Sequence, residues 1–140
     1  MKFDASTHKM VIIINEELPL GLAMNALTVI GVSLGKTFEG IVGADLTSRD
    51  NVCYPGVVKA PLPILKADEP SLKLLQSNLS DNQEIELMPF SSLAQSCRTY
   101  EEYQTKLSGA SDQDLKLAAI GIVGLRKQVN KYTGNLSLYK

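Results

Sequence analysis

The strongest hydrophobic signal in the chain is Met10-Val-Ile-Ile-Ile14, an unbroken and largely β-branched run with no polar face. Such a run predicts a strand buried on both sides, at the centre of a sheet that helices cover. Asn15-Glu16-Glu17 ends it. Pro19 then suits the first turn of a helix, where a missing N–H costs nothing. Leu20 to Leu34 is apolar nearly all round, with Gly35 as its expected stop. Gly21, Asn25 and Thr28 fall at i, i+4 and i+7 and form its one stripe of polar character. A helix of this kind is sandwiched inside its own domain or packed against a second subunit.

Beyond it the pattern loosens. Ile41 to Leu46 reads as a short strand, Thr47–Asn51 as an exposed loop, and Tyr54-Pro55-Gly56 as a turn. Pro61 and Pro63 bracket a second extended stretch that ends in Ile64-Leu65-Lys66. Asp68 has the character of an N-cap, and Leu72, Leu75 and Leu79 then recur at helical spacing as a buried stripe. From Glu84 to Met88 acidic and apolar positions alternate, the mark of a half-buried strand. Ser91–Asp114 is a polar excursion with its own helix. Thr99 and Glu102 make a capping box there, Tyr100, Tyr103 and Leu107 share a face, and Gly109 closes it. Leu115 to Val123 predicts another buried strand. A last helix turns Leu125, Val129 and Tyr132 inward and stops at Gly134. The expected architecture is one α/β domain over residues 1–140, a three-layer sandwich whose small mixed sheet of about four strands is covered by helices on both faces.

Composition narrows the chemistry. At 140 residues the chain is long enough to bury a core without disulfides or metals. A formal net charge of -1 argues against a general affinity for nucleic acid. Cys53, Cys97 and His8 exhaust the soft ligands, too few for a closed zinc site, so no metal or cofactor is implied. Both cysteines are expected to remain reduced thiols. Met1-Lys2-Phe3-Asp4 is too polar for a secretory signal. The Leu18–Leu34 stretch, interrupted by Pro19, Asn25, Thr28 and Ser33, falls short of the about 20 apolar residues of a membrane span. A cytoplasmic protein without a membrane segment is the expectation.

Two segments resemble the type II peptidyl-tRNA hydrolases. Lys9-Met-Val-Ile-Ile-Ile14 with Gly21-Leu-Ala-Met-Asn-Ala26 is similar to that family's opening strand and the start of its first helix. Ala119-Ile120-Gly121 and Val129-Asn-Lys-Tyr-Thr-Gly134-Asn-Leu-Ser-Leu138 resemble its closing strand and terminal helix. Met1-Lys-Phe-Asp with Leu18-Pro-x-Gly-Leu-Ala-x-Asn25 is closer still to a bacterial domain-of-unknown-function branch of the same superfamily. The resemblance implies a peptidyl-tRNA hydrolase-like fold, but the family's catalytic groups do not carry over. Leu22 stands at its lysine position and Thr28 near its helical histidine. The loop that bears its aspartate and threonine is replaced by Ser91–Asp114.

What remains is a set of candidate pocket residues. Asn15 and Glu17 leave the central strand at its carboxyl end, where α/β sheets tend to hold ligands, although a strand exit is commonly just a solvated turn. An asparagine within an apolar helix needs a partner for its amide. Asn25 would therefore face a pocket with Thr28, lock a neighbouring backbone group, or pair across a dimer interface. Asp45 and Asp50 sit in an irregular segment, where paired carboxylates do acid–base work or simply keep a loop turned and solvated. His8, just before the first strand, lacks partners to orient it for catalysis. Arg126, Lys127 and Lys131 give the last helix a basic face that would touch RNA phosphates, without a larger basic stripe to extend it.

Three functions compete on this reading. The first is a non-catalytic domain, homodimeric, holding a small molecule, peptide or partner. The second is a hydrolase of peptidyl-tRNA or another carboxylic ester with a rearranged site. The third is a plain RNA binder.

Overall fold

The computed structural model describes residues 2–140. In chain order its elements are β1 (His8–Asn15), α1 (Leu20–Thr37), β2 (Leu46–Thr47), β3 (Cys53–Tyr54), β4 (Ile64–Ala67), α2 (Glu69–Leu79), β5 (Ile85–Ser91), α3 (Ser92–Gln95), α4 (Tyr100–Ser108), β6 (Leu117–Leu125), α5 (Arg126–Thr133) and β7 (Ser137–Leu138). The main sheet runs β5-β6-β1-β4-β7, with β1 and β4 parallel and every other neighbour antiparallel. It has five strands where about four are expected. The added one, β7, is only two residues long, too short to leave a periodic signal.

The apolar run fills the middle of this sheet. Residues 10–14 are fully buried, and their alternation sends the two sets of side chains to opposite faces. Met10, Ile12 and Ile14 pack with Ala23, Ala26, Ile30 and Leu34 of α1. Val11 and Ile13 pack with Leu72, Leu75 and Leu79 of α2 and Val129 of α5. Helices thus cover both faces, α1 on one and α2 with α5 on the other. Each fully buried aliphatic side chain contributes roughly 1.5–3 kcal/mol, so this strand is the densest source of stability in the fold.

β6 lies antiparallel along β1, with Ile12 opposite Gly121 and Ile13 opposite Ile120. Gly121 faces α1, and a Cβ built there would stand 2.8 Å from Ile30 Cγ2. No real side chain tolerates that approach, so the bare backbone at Gly121 sets how closely α1 settles on the sheet.

Several local expectations change. The β1 strand begins earlier than its apolar run, at His8. The first helix passes through Gly35 and ends at Thr37, because Phe38 is buried and continues the core stripe of Ile30 and Leu34. Pro19 is its N-cap, one position before the first turn. No strand forms over Ile41–Leu46. Its one pairing in the first part is an isolated bridge from Val42 to Val58, and Leu46–Thr47 instead pairs with Cys53–Tyr54 as a hairpin. Thr47 is thus a strand residue, and Ser48–Asn51 lies in the turn of that hairpin, with Asn51 in the left-handed region at φ 66°. Asparagine is among the few residues that accept this conformation readily.

Asp68 caps α2 as expected, its side chain accepting from the Ser71 N–H at 2.8 Å. Thr99 likewise caps α4 by accepting from the Glu102 N–H. The return contact of the capping box shifts by one residue, since the Glu102 carboxylate accepts from Arg98 N–H and not from Thr99. Leu125 is exposed and N-caps α5 instead of packing inward. Both cysteines are free thiols.

α1 reaches 18 residues with a mean hydropathy of 1.3, enough by length and composition for a membrane span. Ala23, Ala26, Ile30 and Leu34 are nonetheless committed to the sheet. Its outer side leaves Leu20, Met24 and Val32 exposed, with Val32 71% accessible.

Gly121→Ala should lower stability by about 1–3 kcal/mol, as overpacking of a filled core does. Urea denaturation of Gly121→Ala, Ile30→Ala and the pair checks the contact: the double variant should lose less than the sum of the singles. Additive losses would show that the two positions do not press on each other.

Candidate functional site

The candidate residues do not converge. Asn15 and Glu17 are at the end of β1, where Glu17 N–H donates to Asn15 Oδ1 at 3.0 Å. Asn25 and Thr28 are both exposed on α1, which overturns the expectation that Asn25 lies inside an apolar surround. Thr28 turns its hydroxyl back to the Met24 carbonyl, and Asn25 Oδ1 accepts from Gln95 Nε2 at 3.2 Å. Gln95 Nε2 also donates to the Leu22 carbonyl at 2.8 Å. The partner of Asn25 is thus a side chain of α3 and not a backbone group, and Gln95 ties α3 to the start of α1. Asp45 accepts from the Gly56 N–H and holds the base of the hairpin. Asp50 sits at the hairpin tip beside Arg49, both fully in solvent. Among the described residues no three His, Cys, Asp or Glu side chains gather as a metal site.

Asn15 is the one candidate that is buried, at 8% exposure. Its Nδ2 donates to Glu69 Oε2 at 3.2 Å and to the Leu117 carbonyl at 3.1 Å, and Leu117 N–H donates back to the Glu69 carboxylate at 3.2 Å. One amide and one carboxylate thus pin the end of β1, the first turn of α2 and the start of β6 together. Buried polar groups at a strand exit need such mutual satisfaction.

Beside this latch, at the same end of the sheet, is a cleft of about 270 Å³. Lys73 and Gln76 of α2 form one wall, and Tyr103 and Leu107 of α4 form the other. Pro89 and Ser91 of β5, Leu117 of β6 and the connecting residues Asp112 and Leu115 complete it. The position follows from the chain path. β1 and β5 are both antiparallel to β6, so their carboxyl ends and the start of β6 share one edge, and the Ser91–Asp114 excursion folds over that edge.

Ser91 is the notable group in the cleft. It is 6% exposed, and its hydroxyl has no hydrogen-bond partner. A buried hydroxyl left unpaired costs about 1–3 kcal/mol, so it is a rare feature in a folded chain. Among the described residues the only other such atom is Gln95 Oε1, on α3 next to it in sequence. A second hollow of equal volume lies between α2 and α5, lined by Leu74, Leu75, Lys131 and Tyr132 among others, and contains neither atom.

The outer wall is lightly attached. α4 has no buried residue, and Lys73 Nζ straps the following loop to α2 by donating to the Asp112 carbonyl. Its N-terminus is held electrostatically. The Glu102 carboxyl lies below the usual range because it accepts from Arg98 N–H and pairs with Lys106, whose Nζ is 2.9 Å away.

Sequence reasoning passed over this cleft. Ser91 was legible in principle, since Ile85, Leu87, Pro89 and Ser91 are alternate positions of β5 and the first of them is buried. Tyr103 and Leu107 are recognised as one helix face, but nothing in the pattern says what they face. Lys73 follows a core leucine and carries no signal of its own.

A family model described as protein of unknown function (DUF2000) matches residues 8–140, and the chain belongs to that family. No curated protein matches it. A solved structure, described as a protein of unknown function from Agrobacterium tumefaciens strain C58, is similar with a TM-score of 0.79 and 16% identity, over 95% of this chain and 98% of that one. At this identity the likeness is one of fold.

Asn15→Leu should destabilise by about 1–3 kcal/mol, because the Leu117 carbonyl and Glu69 lose their buried partner. Chemical denaturation reads the loss, and a neutral result would mean water replaces the amide. For α4 the sign follows from a depressed carboxyl pKa: stabilisation is complete above the unfolded value of about 4.5 and is lost as pH falls through the lower folded value. The protection of the Arg98 amide, taken relative to its intrinsic exchange rate at each pH, should therefore fall below about pH 4.5, and should show no such fall in Glu102→Gln.

Proposed function

We propose that this member of the DUF2000 family is a non-catalytic binding domain on a peptidyl-tRNA hydrolase-like sandwich, with its ligand seat in the cleft between α2, α4 and the end of β5. The observation that carries the reading is the cleft itself, which gathers Lys73, Gln76, Tyr103 and Asp112 around Leu107, Leu115 and Leu117. The cleft volume of about 270 Å³ is at the small end for ligand sites, which suits a small molecule better than a peptide.

The wider fold assignment rests on where the resembling residues lie. Lys9–Ile14 forms β1 and Gly21–Ala26 opens α1, while Ala119–Gly121 lies in β6 and Val129–Leu138 spans α5 and β7. The catalytic reading has less behind it. Leu22 is exposed in the first turn of α1, and Asn25, Thr28, Asp45 and Asp50 are spread over a helix surface and a hairpin, with no shared cleft. Self-association through the outer side of α1 belongs to the same proposal, since no charged residue interrupts Leu20–Gly35 and Leu20, Met24 and Val32 are exposed.

A fragment screen by amide NMR should perturb Lys73, Tyr103 and Leu117 together, with the effect weakened in Leu107→Ala. Purified protein at high concentration should leave peptidyl-tRNA and simple esters intact, and sedimentation should show a dimer that Val32→Asp dissociates. Fragment shifts confined to the α2–α5 hollow would move the seat elsewhere. Turnover of an ester would replace binding with hydrolysis as the function.

A further inference from the structure

We propose that the β2–β3 hairpin is a docking arm for a second copy of this chain, its apolar face lying on the outer side of α1 in that copy. The inference rests on the self-association proposed above and names what covers that side of the helix.

The register of the hairpin sorts its side chains. Leu46 stands opposite Tyr54, and Thr47 opposite Cys53. Ser48 N–H donates to the Val52 carbonyl and extends the ladder by one pair. Side chains alternate along a strand, so Leu46, Val52 and Tyr54 share one face and Thr47 and Cys53 take the other. All three apolar residues of that face are more than half exposed. No other strand or helix packs extensively against the hairpin. Two strands alone are marginally stable in water, and an open apolar face on them is a surface for something else to cover.

The hairpin is nonetheless firmly rooted. Gly43 N–H donates to the Val57 carbonyl at 2.9 Å, and Gly56 N–H donates to Asp45 Oδ1 at 2.9 Å. The two backbones cross so closely there that a Cβ at Gly56 would overlap the Gly43 carbonyl. Below that crossing Ile41, Ala60 and Leu62 pack into the cluster that holds Ala23 and Ile30, so the arm leaves the domain on the α1 side of the sheet. An arm fixed at its base loses little freedom on docking, which favours association.

The outer side of α1 suits this arm. Leu20, Met24, Thr28 and Val32 succeed one another at i+4 and form a ridge. Gly21, Gly31 and Gly35 border it, and a Cβ at any of them would meet nothing within 4 Å, which leaves recesses for incoming side chains. The arm brings no lone charge onto this uncharged surface. Asp45 is engaged at its base, and Arg49 lies beside Asp50 at its tip. Burying the contact therefore strands no ion. Each copy carries both surfaces, so one two-fold arrangement seats both arms at once.

The area is sufficient. Of the fifteen large apolar side chains exposed among the described residues, ten belong to α1 or to residues 42–58. At about 100 Å² apiece they present on the order of 1,000 Å² per chain, above the about 800 Å² per partner of a stable interface.

The test is sedimentation of the full chain together with cross-linking between copies. The parent should be dimeric. Tyr54→Glu and Leu46→Glu, both at exposed positions, should each raise the dissociation constant at least ten-fold and leave the far-UV circular dichroism unchanged. In a background of Cys53→Ser and Cys97→Ser, Tyr54→Cys chains are mixed with Val32→Cys chains and treated with a short bis-maleimide. Mass spectrometry should find unlike chains joined more than like ones. A dimer that Val32→Asp dissociates and neither arm substitution weakens, or Val32→Cys chains joined chiefly to each other, would overturn the arm and leave self-association through α1 standing. A parent chain that stays monomeric at the highest concentration reached would end both.

Discussion

The antiparallel pairing of β1 with β6 is the constraint from which the rest of the molecule follows. Both strands are buried on both faces over nearly their whole length, so neither can exist without helices above and below. The register that puts Gly121 opposite Ile12 also puts a bare backbone under Ile30. Had a larger residue stood there, α1 would ride higher and lose the contact of Ala23 and Ala26 with the sheet. The same pairing places the exit of β1 beside the start of β6, which is why Asn15 can reach Leu117 and Glu69. Core register and cleft position are two results of one alignment.

The elements legible from sequence were those whose signal is carried by their own side chains. Met10–Ile14 announces a doubly covered strand, Leu72, Leu75 and Leu79 announce the inner face of α2, and Asp68 and Thr99 announce caps that the structure contains. The failures have a common cause in tertiary context. Gly35 looks like a stop, but burial of Phe38 draws the helix onward by one turn. Ile41–Leu46 has strand composition, but its pairing is limited to the Val42–Val58 bridge and to Leu46 in the hairpin. β7 exists only because β4 offers it an edge. Asn25 reads as a polar residue in an apolar surround because periodicity cannot say which side of a uniformly apolar helix is covered. The side that carries Asn25 proves to be the open one.

The cleft was the least legible feature, since it is assembled from four separate stretches of chain and none of them has a motif. Its chemistry is modest when taken residue by residue: a lysine, an aspartate, a glutamine, a serine, a tyrosine, a proline and three leucines. Only their assembly under the Ser91–Asp114 excursion gives them meaning. A scaffold held by β1 and β6 is rigid enough for one edge to be rebuilt while the layers beneath it stay as they are, and fold is then a poor guide to activity.

Pro89 has a consequence of a different kind. β5 is the outermost strand on its side of the sheet, paired only to β6, and a free edge of this length is a template for joining another chain. Proline has no N–H to offer, and within a sheet it is tolerated where that missing donor points outward. Glu86 adds a charge to the same strand. The residue that helps line the cleft on one face therefore also interrupts the hydrogen-bond ladder that an incoming strand would need. On this side the sheet is thereby hindered from growing sideways into a fibre.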